Sequence, residues 1–367
     1  MATRERFGVA MDTDRMVAQF MDMVRVDSES GDETRFMAWL VPRLEELGAH
    51  ARLDDYGNLI AKLPAKNSSA ARVLLSCHGD TVKPGKGIQP VLQDGVIRSA
   101  GDTILGADDK AGIAEMIETL RVAPVYPPIE IAISRQEEVG LLGVKQLDFS
   151  QISATRGFLL DNDTLDTIIT GGPSYFAIDV TVKGKAAHAG MEPEKGINAI
   201  QAASRAIAAL ALGRLDRETT ANVGIIQGGM IRNGVPDTCT FAAECRSLTH
   251  ARGQAVADDM VAVVRREAEA GGAQVTIQVN NLCQASFIAD DAWTVRIAQQ
   301  ALSALGIQAM PAVMCGFTDA SIYNNHGIEM GVVGIGARME HSTDEHIYVE
   351  DMERAVAMMV EILRLSA

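Results

Sequence analysis

The chain has 367 residues, of which 47% are apolar and 22% charged, with 48 acidic side chains against 33 basic ones and a formal charge of -15. This is ordinary globular composition; it excludes disorder of the whole chain and, at roughly 150 residues per domain, points to two domains or one large one. The acidic excess repels nucleic acid and anionic lipid, and no apolar run approaches the ~18–20 residues that span a bilayer, so neither nucleic acid nor membrane is an expected partner.

The opening segment, MATRERFGVAMDTDRM, is broken up by charge and lacks the apolar centre of a secretory signal. Residues 13–48 space their apolar positions as helices do and predict two helices, the second stopped by Gly48. Short β-rich runs follow at NLIAKL, RVLLSCHGD and EIAISRQEE, with ADDKAGIAEMIETLRV between the last two as an amphipathic helix. Strands alternating with helices predict an α/β unit with a parallel or mixed sheet. RGFLLDND adds an apolar strand ending in carboxylates.

The texture changes after Gly171-Gly172-Pro173. YFAIDVTVKG alternates with period two, as a half-exposed antiparallel strand does. A helix (GINAIQAASRAIAALAL), two strands (NVGIIQGGMIRN and CTFAAECRSL), a long helix (GQAVADDMVAVVRREAEAGG) and a closing strand (AQVTIQVNNL) follow. The order β-α-β-β-α-β is the ferredoxin-like pattern, predicted as an inserted domain over 172–282. Residues 1–171 and 283–367 then form one α/β domain, with apolar strand content near 328–336 and a last helix from Asp351.

The five cysteines are odd in number and none forms a C-x-x-C pair, which disfavours a disulfide framework or a thiolate zinc site. A reducing compartment, the cytoplasm, is expected. G-x-S-x-G, G-x-x-x-x-G-K-[ST], H-E-x-x-H and G-x-G-x-x-G are absent. Serine hydrolases, P-loop NTPases, thermolysin-like proteases and dinucleotide-dependent dehydrogenases lose weight accordingly.

Active sites in open α/β sheets form at the carboxyl ends of strands. Here apolar runs lead into His78-Gly79-Asp80, Glu137-Glu138, Asp161 and Glu340-His341, and the loop Gly106-Ala107-Asp108-Asp109-Lys110 opens a helix. Any one of these reads as a cap or a solvated turn. Together they point to a site of two imidazoles and several carboxylates, suited to Zn²⁺, Co²⁺ or Mn²⁺. Asp80 is spaced to receive the second ring N–H of His78 and so fix its tautomer. Of Glu137 and Glu138, one can bind metal while the other takes a proton from water. Cys77 points to the opposite strand face from His78 and is expected to be a buried, inert thiol.

HGDTV, GADDKAG, EEVG, LLDND, GKAAHAG and EHSTDEHI, in this order, resemble the M20 metallopeptidase family, and within it the peptidase T (tripeptide aminopeptidase) branch, over essentially the whole chain. The resemblance implies a mixed-sheet, zinc-exopeptidase-like catalytic domain with an inserted ferredoxin-like lid and dimerisation domain, working as a homodimer. It implies two Zn²⁺ per subunit. His78 and Asp161 would hold one, Glu138 and His341 the other, and Asp108 would bridge them across a cis Asp108–Asp109 peptide. Asp80 would orient His78, and Glu137 would act as general base and later as acid. His188, in GKAAHAG, would reach the partner subunit's active site and stabilise the oxyanion. Asn233 and Arg246 would hold a substrate carboxylate, an apt use of the guanidinium fork. Phe317, in GFTDAS, stands where the family has a second glycine. The implied activity is hydrolysis of the N-terminal bond of short peptides such as tripeptides; an N-acyl amino acid deacylase or carboxypeptidase fits the same residues. A metal-binding protein with a dead site would lack a ligand or the base, and every expected position is filled.

Overall fold

The computed structural model describes residues 4–367; positions 1–3 of the predicted catalytic segment lie outside the described residues. The chain forms two compact units. The first holds the chain up to Gly171 together with Phe287–Met314 and Thr318–Ala367; the second holds Gly172–Ser286 and Cys315–Phe317. Among the described residues, no helix is long and apolar enough to cross a membrane.

The first unit is built on a mixed sheet of nine strands. At its centre β1 (Val73–His78), β2 (Ile129–Ser134), β3 (Arg156–Asn162) and β4 (Glu329–Gly334) run parallel, in the order β2-β1-β3-β4. Every residue of β1 and β2 is buried, which is why both read as near-continuous apolar runs. Leu59–Leu63 pairs antiparallel beyond β2, and His50–Leu53 pairs antiparallel with it in turn.

The crossover from β1 to β2 contains α1 (Ala107–Val122). Its sequence predicts one apolar face, yet every residue from Asp109 to Leu120 is buried. The reason is that α1 packs against β1 and β3 on one side and against the helices Thr13–Val24 and Val349–Ser366 on the other. Small residues permit the close approach: a Cβ added at Gly112 would lie 2.6 Å from the Leu160 carbonyl oxygen.

The segment after β2 is held as tightly. Asn58 Oδ1 accepts from the Arg135 amide at 3.1 Å and Asn58 Nδ2 donates to the Gly143 carbonyl at 3.0 Å. A Cβ at Gly143 would collide with the Arg135 carbonyl oxygen and lie 2.6 Å from Asn58 Oδ1. Gly143→Ala is therefore expected to cost about 1–3 kcal/mol of stability, as overpacking does. Urea unfolding measures this; an unchanged midpoint would show that the backbone yields there.

In the second unit the strands Ser174–Lys183, Thr219–Gly228, Thr238–Ser247 and Gln274–Cys283 form an antiparallel sheet in the spatial order second, third, first, fourth. This is the ferredoxin-like arrangement. The helices Ala199–Ala209 and His250–Ala270 pack on it. The period-two alternation has its predicted effect: Phe176, Ile178, Val180 and Val182 enter the core, and the residues between them do not.

Candidate metal centre

Parallel strands bring their carboxyl ends to one edge. Leu74 pairs with Gly157 and Ser76 with Leu159, so two residues further on His78 and Asp161 fall side by side on the same face. His78 pairs with Ser134, after which the chain turns through Gln136, at φ 53°, into Glu137 and Glu138. The loop after β4 delivers His341, itself at φ 59°. Asp108 enters from the start of α1, and the Asp108–Asp109 peptide is cis.

Asp108 is the centre of the set. Its Oδ1 is 2.9 Å from His78 Nε2 and its Oδ2 is 3.2 Å from His341 Nε2. Asp161 Oδ1 is 3.5 Å from His78 Nε2, and Glu138 Oε1 is 3.0 Å from His341 Nε2. Donor atoms thus converge within 4.8 Å in the groups His78–Asp108–Asp161, Asp108–Glu138–His341 and His78–Glu137–Glu138.

Asp80 is fully buried and does more than the sequence predicts. Its backbone carbonyl is the nearer neighbour of His78 Nδ1, at 3.1 Å, with the carboxylate at 3.5 Å. That carboxylate also accepts from the amides of Glu137 and Glu138, at 2.9 and 3.2 Å, and from the Ser30 hydroxyl at 2.7 Å. Asp80 therefore meets the imidazole first through its backbone carbonyl, while its side chain binds the backbone of the adjacent carboxylate pair.

Burial pushes the carboxyls of Glu137, Glu138 and Asp161 above their ordinary range, and neighbouring carboxylates add to the rise. Burial works the same way on Asp108, but hydrogen bonds from His341 and His78 outweigh it and hold that carboxyl well below the usual value. The bonds to Asp108 and Glu138 carry the His341 imidazole up to about 10. A partly buried set of this kind, crowded with negative charge and holding protons on its imidazoles, fits a dication in place of those protons. Nitrogen and oxygen donors without thiolate suit Zn²⁺, Co²⁺ or Mn²⁺. Cys77 is buried, and burial raises its thiol well above the usual value, so it is inert.

His188, Asn233 and Arg246 all lie in the second unit. His188 pairs with Gly234, and the Ala189 amide donates to the Asn233 carbonyl at 3.0 Å, which makes His188 and Asn233 neighbours. The exposed His188 accepts the amides of Gly190 and Met191 on Nδ1, both at 3.2 Å. In the neutral ring the proton is then on Nε2, a donor. Arg246 has aromatic and acidic neighbours. Its guanidinium lies over the rings of Tyr175 and Phe317, 4.5 and 5.5 Å from their centroids, and pairs with Glu244 at 3.0 Å. Phe317 stacks on Tyr175 at 5.2 Å.

Glu345 and Asp319 were not singled out by their sequence context. Asp319 is fully buried, bonded to the Ser134 hydroxyl, and pushed up to about 7 by burial. The signal for Glu345 was its place four residues beyond His341 within EHSTDEHI.

The M20 peptidase dimerisation domain matches residues 174–272. Over its full length the chain is similar to the aminopeptidase PepT of Bacillus cereus ATCC 10987, with 36% identity, TM-score 0.85, and 97% of this chain and 99% of the other covered. It is similar as well to a tripeptidase of Staphylococcus aureus Mu50, at 31% identity, TM-score 0.90 and the same coverage, 97% and 99%. The protein YqjE of Bacillus subtilis strain 168 is 34% identical over 366 residues, 96% of this chain and 98% of that one. Fold and site define a hydrolase of the M20 peptidase type. The chain belongs to the M20 peptidase family, in its PepT-like branch.

Proposed function

We propose that this protein is a two-metal exopeptidase that removes the N-terminal residue of short peptides such as tripeptides, with zinc as the metal. The observation that carries the reading is Asp108, whose two oxygens face two different histidines and so join two donor groups through one carboxylate. His78 and Asp161 would hold one ion, Glu138 and His341 the other, and Asp108 both. Bound there, the ions supply Lewis-acid activation of a water and of the scissile carbonyl.

The remaining chemistry falls to side chains. Glu137, adjacent to the ligand Glu138, takes the proton of the attacking water. Its buried position, which raises its proton affinity, suits a base that must later hand that proton to the leaving amine. Asp80 keeps the His78 ring and the Glu137–Glu138 backbone in place. His188 offers its Nε2–H to the developing oxyanion. Asn233 and Arg246 receive the substrate carboxylate, and at Arg246 that carboxylate competes with Glu244. The second unit acts as lid and as the dimerisation surface of a homodimer, consistent with the family domain it matches. A reducing, cytoplasmic setting fits the thiols of Cys77, Cys239 and Cys245, which are buried and would stay reduced there.

The test is hydrolysis of trialanine beside N-acetyl-trialanine by metal-loaded protein, with products read by mass spectrometry. Loss of the first residue from the free peptide alone is the expected result. Equal or faster cleavage of the blocked peptide would replace the aminopeptidase reading with a deacylase or carboxypeptidase.

A further inference from the structure

Glu345 is only 1% exposed, and it is spent on backbone. Its Oε2 accepts from the amides of Leu105 and Gly106, both at 2.7 Å, and its Oε1 from those of Ala107 and Asp108, at 2.7 and 3.1 Å. Four consecutive N–H groups thus saturate one carboxylate, across 237 to 240 residues of chain. The other end of the connection is equally anchored. Glu345 leads directly into the strand His346–Tyr348, which pairs with Val96–Ser99 and buries Ile347 completely. Its own amide donates to the Ser342 carbonyl at 3.2 Å, one residue past His341.

Asp108 opens α1, and His341 comes from a loop 233 residues further along the chain. The separation of Asp108 Oδ2 from His341 Nε2, 3.2 Å, depends on where each backbone sits. Metal ligation tolerates errors of only about 0.2 Å. We propose that Glu345 is a positioning residue of the metal centre: its carboxylate clamps the 105–108 backbone to the His341 loop and thereby sets Asp108 between the two histidines. The proposal rests on the metal-centre reading above. It also explains why the residue is a carboxylate. Glutamine would turn one of the two acceptors into a donor facing two N–H groups.

Glu345→Gln tests it in the full-length protein, with Co²⁺ alone as the probe. Three readouts matter: the visible absorption and affinity of bound Co²⁺, amide hydrogen exchange at 105–108 in metal-free protein, and the split between kcat and KM. The variant is expected to fold, to exchange those amides faster, and to bind Co²⁺ about 10- to 100-fold more weakly with an altered spectrum, as loss of a partner behind the ligands does. Among loaded molecules kcat falls while KM holds. Glu345→Asp, whose charge remains but whose reach is one methylene shorter, is expected to fall between. A folded Glu345→Gln protein with wild-type Co²⁺ affinity and spectrum overturns the proposal. Failure of both variants to fold also overturns it, since Glu345 would then be a stability residue. Wild-type protein that takes up no Co²⁺ overturns the metal-centre reading and this proposal with it, whereas normal uptake beside an unaltered variant overturns this proposal alone.

Discussion

Glu137→Gln is expected to lower kcat by about 10²- to 10⁴-fold, the range a general base contributes, and to leave KM, fold and metal content near those of the unaltered protein. Glutamine keeps the shape of the side chain and removes its ability to take a proton. In the proposed reading the ligand of this pair is Glu138, whose Oε1 lies 3.0 Å from His341 Nε2, so metal uptake is expected to survive. The fold is expected to survive as well. Glu137 is held through its backbone amide by Asp80, and burial already disfavours its charged form. A neutral amide there relieves a desolvation cost, and an equal or slightly raised melting temperature is expected, in line with the usual conflict between active-site chemistry and stability. Steady-state kinetics, metal analysis and thermal unfolding of one preparation decide the matter. Unchanged turnover would remove Glu137 as the base. Lost metal would make it a ligand.

Asp108→Asn has the larger consequence for the metal. Because the two oxygens of Asp108 each lie within bonding distance of a different histidine, its replacement is expected to weaken both bound ions together and to abolish turnover, whereas a change at Asp161 acts first on one. Loading the unaltered protein is expected to raise its melting temperature. An ion present at a hundred times its dissociation constant adds about 2.7 kcal/mol. The same cluster sets the pH dependence. The His341 imidazole is carried up to about 10 by Asp108 and Glu138, so at pH 7 the metal-free site holds a proton on it. A ligand imidazole must be neutral; loading therefore releases protons, and affinity falls as pH falls. Titration calorimetry in buffers of different ionisation enthalpy reads that release. Buffer-independent heats would contradict the proton release, and an Asp108→Asn protein that still binds two ions would contradict the bridging role.

Much of this was legible in the sequence for a physical reason. A strand buried on both faces must be apolar along its length, so the abrupt carboxylates and imidazoles after RVLLSC, EIAISRQ and RGFLL mark the strand ends. Period-two alternation in YFAIDVTVKG marks a sheet with one face in the core, and the β-α-β-β-α-β order then leaves few topologies. His78, Asp80, Asp108, Glu137, Glu138, Asp161 and His341 could be singled out one by one, each beside its local motif. The aromatic surroundings of Arg246 could not: Tyr175 and Phe317 reach it from positions 71 residues away on either side in the chain.

What local pattern determined, then, was which residues end the strands and what chemistry they offer. Tertiary structure alone decided how those residues meet. Strand register put His78 beside Asp161 on one face, and packing on two sides buried α1 where its sequence predicts an exposed face. The Asp80 carboxylate was expected to serve one imidazole; it lies 3.5 Å from that ring and accepts from a backbone pair. Glu345 reads as one more acidic residue in a turn until folding brings it to four amides far away in the chain. Side-chain type and short spacing are local properties, carried by neighbouring residues. A distance between two loops is set by everything packed between them.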